Sequence, residues 1–154
     1  MAAVIVDVAD AITTDLNIDP ATNFGLAFVA ERSDGEFDRL LKDIDLLHVD
    51  VVPAGHPSFL LSNIGGAIDH QAAVQVILRK RLVVGTNERF LRSDVNALRL
   101  ALQKIAVFFV RRELTTLTTA TWISTEIEVD CNRSDARENH QYTGIVRIVY
   151  EVIA

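Results

Sequence analysis

The sequence predicts an α/β (α+β) domain: a mixed, largely antiparallel sheet of about five strands with two main helices packed on it. Three patterns predict it. Two segments repeat apolar residues at alternating three- and four-residue spacings, the stripe of a half-buried helix. Several others alternate apolar and polar residues with the period of a strand. The last of these, Tyr142 to Ala154, is apolar on both faces. Tyr142, Val146, Ile148, Tyr150 and Val152 share one face, while Ile145, Val149 and Ile153 lie among Thr143, Arg147 and Glu151 on the other. Such a strand is expected to be covered on both sides.

The elements follow in order. Residues 3–16 read as a helix, with Ile5, Ala9, Ile12 and Leu16 in one stripe and Pro20 beyond its end. Leu26 to Arg32 reads as a short strand, Ser33-Asp-Gly-Glu as a turn, and Phe37 to Leu41 as one helical turn. Leu46 to Val52 alternates strongly and is expected to stop at Pro53, because proline cannot donate to a sheet ladder. Residues 53–69 hold Pro53, Gly55, Pro57, Gly65 and Gly66 but also Phe59, Leu60 and Leu61. They are expected to form an irregular, apolar, partner-facing arm, with packing into the core as the competing reading. Gln71 to Leu82 is a strand ending in Arg79-Lys-Arg81. The longest helix follows, with Ser93 at its cap, Asp94 in its first turn, a stripe through Val95, Leu98, Leu102, Ile105 and Phe109, and Arg111 and Arg112 at its end. Those charges suit the helix dipole. A strand through Val129 is expected to put Thr121, Ile123, Thr125, Ile127 and Val129 on one face and Trp122, Glu126 and Glu128 on the other. The strand–helix–strand unit from 71 to 129 is long enough for a parallel crossover.

At 154 residues, 1–154 reads as one domain. Its hydrophobic fraction of 49% is high for its size, yet no apolar run reaches the ~20 residues of a membrane span. The surplus apolar surface is expected to be buried against other subunits. A net charge of −6 argues against general nucleic-acid binding. Residues 1–50 carry eleven acidic and three basic side chains, whereas residues 79–112 carry nine basic and two acidic ones. A chain divided in this way can pair head-to-tail with copies of itself; alternatively the charges interleave in three dimensions and cancel, because linear segments are not surfaces. The single cysteine, Cys131, excludes an intrachain disulfide, and a cytoplasmic site of synthesis is expected.

No motif carries a reaction. There is no glycine-rich phosphate loop, nucleophile elbow or His-Glu-x-x-His. His48, Asp50 and His70 would bind a metal only if their strands converged, and solvated-face roles are preferred. Asp130, Asn132 and Asp135 lack the glycine and terminal glutamate of a calcium loop and read as turn formers. Glu126 and Glu128 could form a carboxylate pair, Cys131 could act beside His140, and Trp122 could be a stacking platform; structural roles are preferred for each. No catalytic, cofactor or metal residue is assigned.

Four segments in order carry a resemblance. Val4 to Ile12, Phe28-Val-Ala-Glu-Arg32, Leu46 to Pro53 and Tyr142 to Val152, with Arg79-Lys-Arg81 and the long helix after it, resemble the tail terminator proteins of tailed bacteriophages, prophage-borne versions included. The chain departs from that pattern before its last strand, where Val129 to Asp135 contains neither proline nor tyrosine, and in its apolar 53–69 segment. The resemblance implies a small α/β domain acting as a ring, usually of six copies, on the head-proximal end of the tail tube. The ring stops tube polymerisation and offers the head–tail joining surface. Its implied partners are further copies of itself, the tail tube protein and the head–tail connector, without membrane, cofactor or specific nucleic-acid binding, although DNA passes through the ring. The implied location is the virion neck, after assembly in the host cytoplasm. Another neck or head-completion component is the alternative, and a small soluble enzyme or ligand-binding domain a remote one. From charge distribution, Arg79, Lys80 and Arg81 are expected to meet a neighbour's Asp34, Glu36 or Asp38. Phe59, Leu60 and Leu61 are expected to face a subunit or partner.

Overall fold

The protein is described by a computed structural model that covers residues 3–33, 46–61, 67–82, 92–133, 136 and 140–153. The elements are α1 (Val4–Leu16), α2 (Pro20–Phe24), β1 (Ala30–Arg32), β2 (His48–Leu61), β3 (Ile68–Arg81), α3 (Arg92–Phe109), β4 (Ala120–Val129) and β5 (Gln141–Ile153). The five strands form one sheet in the order β1-β2-β3-β5-β4. Only β1 and β2 run parallel; the other three neighbouring pairs are antiparallel. The sheet is therefore mixed and largely antiparallel, as the alternation predicts. Both β3 and β4 oppose β5, so the segment through α3 returns the chain in the β3 direction with β5 inserted between.

One face of the sheet carries the core. Val49 and Val51 of β2, Val74, Val76 and Leu78 of β3, and Tyr142, Val146, Ile148 and Tyr150 of β5 are buried there. Ile12 and Leu16 of α1 and Leu98, Leu102, Ile105 and Phe109 of α3 close over them, as their spacing predicts. Helix α1 packs on β1, β2 and β3, and α3 on β5 and β4, so the two helices cover opposite halves of one face. Close approach of α3 requires Gly144. A Cβ there would lie 2.9 Å from Tyr142 Oη and 3.1 Å from Leu102 Cδ2. Tyr142 is held in that place by donating to the Asp130 carbonyl at 2.6 Å.

Helix α1 is locked to the far side of the molecule by a buried charge. Asp15 is fully buried; its Oδ2 accepts from Arg112 Nε at 2.8 Å and its Oδ1 from the Thr115 amide at 3.4 Å. The Arg112 guanidinium also lies 3.9 Å over the Phe108 ring, and Tyr150 donates to the Arg112 carbonyl at 2.8 Å. Asn17, just past α1, ties down β1. Its amide donates to the Ala30 carbonyl at 3.0 Å and accepts from the Ala30 amide at 2.7 Å. This imitates a neighbouring strand and blocks the β1 edge.

Several boundaries differ from the sequence expectation. The 53–69 segment is not an irregular arm over its first half, because β2 continues through Pro53 to Leu61. Pro53 still lies opposite Val74, and register shifts between Pro53 and Gly55 and between Gly55 and Ser58 absorb the extra residues. Bulges tolerate a missing donor, and Gly55 supplies the φ of +139° that one of them needs. β1 begins at Ala30 rather than Leu26, and α2 forms where only a proline stop was expected. Helix α3 begins at Arg92, so Ser93 lies inside its first turn, and it ends at Phe109, before Arg111 and Arg112. Strict alternation also fails in β4. Shifts between Trp122 and Ser124 and between Ile127 and Val129 break the expected faces. Ala120 and Trp122 pack on the core, whereas Glu126 stands opposite Arg147 on the other face. The turn expected over Phe37 to Leu41 lies outside the described residues.

Candidate functional site

The features with contact chemistry fall at the two ends of the β2–β3 hairpin and on the two flanks of the sheet. Arg79, Lys80 and Arg81 form the last three positions of β3. Arg79 lies across from His48 on one side and Thr143 on the other, Lys80 from Tyr142, and Arg81 from Gln141. The basic end of the hairpin is thus joined to the start of β2 and the start of β5. Phe59, Leu60 and Leu61 pair with His70, Asp69 and Ile68 at the opposite end. From Ile68 to Arg81 the strand spans 14 residues, roughly 40 Å at about 3.3 Å per residue. The two sets of predicted contact residues are therefore far apart. Asp34, Glu36 and Asp38 lie outside the described residues.

The second face of the sheet, which neither α1 nor α3 covers, holds a charged network. Arg147 lies 3.6 Å from Glu126 Oε1 and 3.5 Å from Glu128 Oε1, and Gln75 Nε2 donates to Glu128 Oε2 at 2.9 Å. The two glutamates are thus held by one guanidinium and an amide, the arrangement of a cross-strand ion pair. Buried Ile77, Ala73 and Val149 flank the network on the same face. Farther along, burial and the negative charge of the neighbouring Asp69 raise Glu151 above the ordinary carboxylate range. Asp69 Oδ1 is buried without a hydrogen-bond partner. His48 and His70 sit near opposite ends of the hairpin, opposite Arg79 and Phe59 respectively. Among the described residues no group of three or more His, Cys, Asp or Glu side chains gathers as a metal site would. Trp122 is half-buried against the core and donates to Thr125 Oγ1 at 2.8 Å. Cys131 is half-buried beside the core as well.

The flanks were less visible in the sequence. At the β1 flank a groove of about 610 Å³ is lined by Leu26, Phe28, Val29, Leu46, His48 and Lys80, among others. Val29 and Leu46 on its rim are 71% and 78% exposed, which marks them as surface apolar groups rather than core. At the β4 flank, Leu100, Val107 and Val110 of the α3 region and Ile123 and Ile127 of β4 are also exposed. Leu100 and Val107 stand opposite the core stripe of α3. That off-stripe position was the signal in the sequence, visible once the stripe is drawn. No family model matches this chain, and no curated protein is similar to it in sequence.

Proposed function

We propose that the protein is a ring-forming virion component, most simply a hexamer, that caps the head-proximal end of a phage tail tube, ends its polymerisation and offers the surface for head joining. The observation that carries this reading is the two-ended subunit. The paired strands β2 and β3 hold a basic cluster at one end and the Phe59–Leu61 segment near the other, roughly 40 Å apart at about 3.3 Å per residue. Copies arranged around an axis would then have two chemically different faces. A stopper needs that difference: one face matches a tube ring and the other does not, so growth ends. The ordered resemblance of four segments to tail terminators supports the same reading. So does the separation of acidic and basic sequence, since closed rings form through head-to-tail contacts.

The test is assembly in vitro. The purified chain, imaged by negative-stain electron microscopy and weighed by native mass spectrometry, is expected to form closed rings, and to shorten tubes when added to polymerising tail tube protein. A chain that stays monomeric and leaves tube length unchanged would remove the proposal.

A further inference from the structure

We infer that the groove beside β1 is a binding site for a small amphipathic carboxylate: an aliphatic or aryl body lies along its apolar walls, and the carboxylate meets the Lys80 ammonium. Nothing in this site depends on the proposed ring.

The walls are parts of the chain that the core already holds. Leu26 and Leu47 pack against the core cluster, and Phe28 is buried with its ring stacked on Phe24 at 5.7 Å. The β1–β2 ladder begins at Ala30 and Val49, so residues 26–29 and 46–47 flank the groove ahead of it. Apart from Glu31, His48 and Lys80, the described lining is apolar. Its volume of about 610 Å³ falls within the roughly 300–1,000 Å³ of small-molecule sites.

Lys80 selects the chemistry. β3 pairs with β5 without a register shift, so its alternation is unbroken. Val74, Val76 and Leu78 face the core, and Lys80 takes the next place in that row. Arg79 and Arg81, by the same alternation, fall on the other face. Lys80 lies across from Tyr142, which is fully buried and already donates its hydroxyl to the Asp130 carbonyl. A half-buried ammonium thus stands where the row leads one to expect an apolar side chain. It has three hydrogens to donate, and a polar group drawn away from water costs free energy until it is paired. Among the described residues none pairs with Lys80, whereas Glu31 and His48, the other polar groups of the lining, have partners of their own. A carboxylate answers the ammonium with a charge-assisted hydrogen bond, the stronger kind. The body attached to it covers the exposed rim at Val29 and Leu46. A purely apolar ligand would leave Lys80 unmatched, and a cationic amphiphile would oppose it.

The test is equilibrium dialysis of the full chain against dodecanoate below its micelle concentration. Dodecyltrimethylammonium, of equal chain length and opposite charge, is the comparison. The wild type is expected to take up one dodecanoate per chain with a Kd on the order of 1 mM or below, and the ammonium amphiphile at least about tenfold more weakly. Lys80→Arg should retain uptake, and Lys80→Gln should weaken it about tenfold. Val29→Asp, which sets a carboxylate on the rim, should weaken it as well. Val29 is exposed and Lys80 half-buried at the surface, so these variants should melt within a few degrees of the wild type. No saturable uptake, equal affinity for the two amphiphiles, or uptake unchanged in Lys80→Gln overturns the inference. Oligomeric state plays no part in this readout, so failure here leaves the proposed ring standing.

Discussion

Asp15 illustrates how single residues hold this fold together. It is an acidic side chain with no exposure, held by an arginine 97 positions away in the chain. Removing one partner of such a pair strands the other charge, a loss of about 3–5 kcal/mol when both are buried. Arg112 is partly exposed, so Arg112→Ala is expected to cost somewhat less, about 2–3 kcal/mol by urea denaturation. An unchanged midpoint would show that the pair contributes nothing. Glu151 gives a prediction of the opposite sign. Burial and Asp69 raise its pKa above the ordinary 4.5, so the folded chain binds this proton more tightly than the unfolded chain does. The stabilisation from that proton is complete below pH 4.5 and is lost as the pH climbs through the higher folded value. Glu151→Gln is therefore expected to raise the melting temperature at pH 7, by the equivalent of about 0.5 kcal/mol for a relieved like-charge cross-strand contact. The gain should vanish below pH 4.5, and a gain that persists there would point to another cause.

At the scale of elements, the sequence was most legible where one periodicity ran unbroken. The stripes of α1 and α3 and the two-faced alternation of β5 all correspond to observed elements, because burial on one side imposes a repeat that composition alone can display. Legibility failed where the ladder departs from that repeat. Two prolines made residues 53–61 look like the end of a strand, yet register shifts carry β2 past them. Bulges in β4 moved Trp122 and Glu126 away from their expected shared face, since one extra residue inverts every later assignment. Asp15 escaped notice because its partner is remote in sequence, and the groove at the β1 flank because Val29 and Leu46 lie outside any periodic element. Two glycines separate the physical causes at work here. Gly55→Ala would meet no atom within 4 Å, so its expected cost of about 1–2 kcal/mol comes from backbone strain at positive φ. Gly144→Ala would press on Tyr142 and Leu102, an overpacking cost of about 1–3 kcal/mol. Leu102→Ala is itself costly as a core truncation, but in a double-mutant cycle it should couple favourably with Gly144→Ala and not with Gly55→Ala. Denaturation of the two double variants checks this, and equal behaviour at both glycines would refute the distinction.

Across the whole molecule, the proposed function needs lateral contacts that set the circumference of a ring and contacts with whatever lies above and below it. Charge reversal at Arg79 and Arg81 probes which of these the basic end of the β2–β3 hairpin makes. These residues occupy one end of the hairpin, and partly exposed charges chiefly guide encounter and register. If their partner is a neighbouring copy, reversal should weaken ring formation most at low salt, because screening erases such contacts at high salt. If their partner is the tube or the connector, rings should form normally while capping or head joining declines. Either outcome assigns the basic end to a contact, and reversal without effect on rings, capping or joining would withdraw it. Particles lacking the protein complete the test. Tails longer than normal are expected, because nothing else would end polymerisation. Tails of normal length beside filled, detached heads would assign the ring to joining alone and move the chain to another component of the neck.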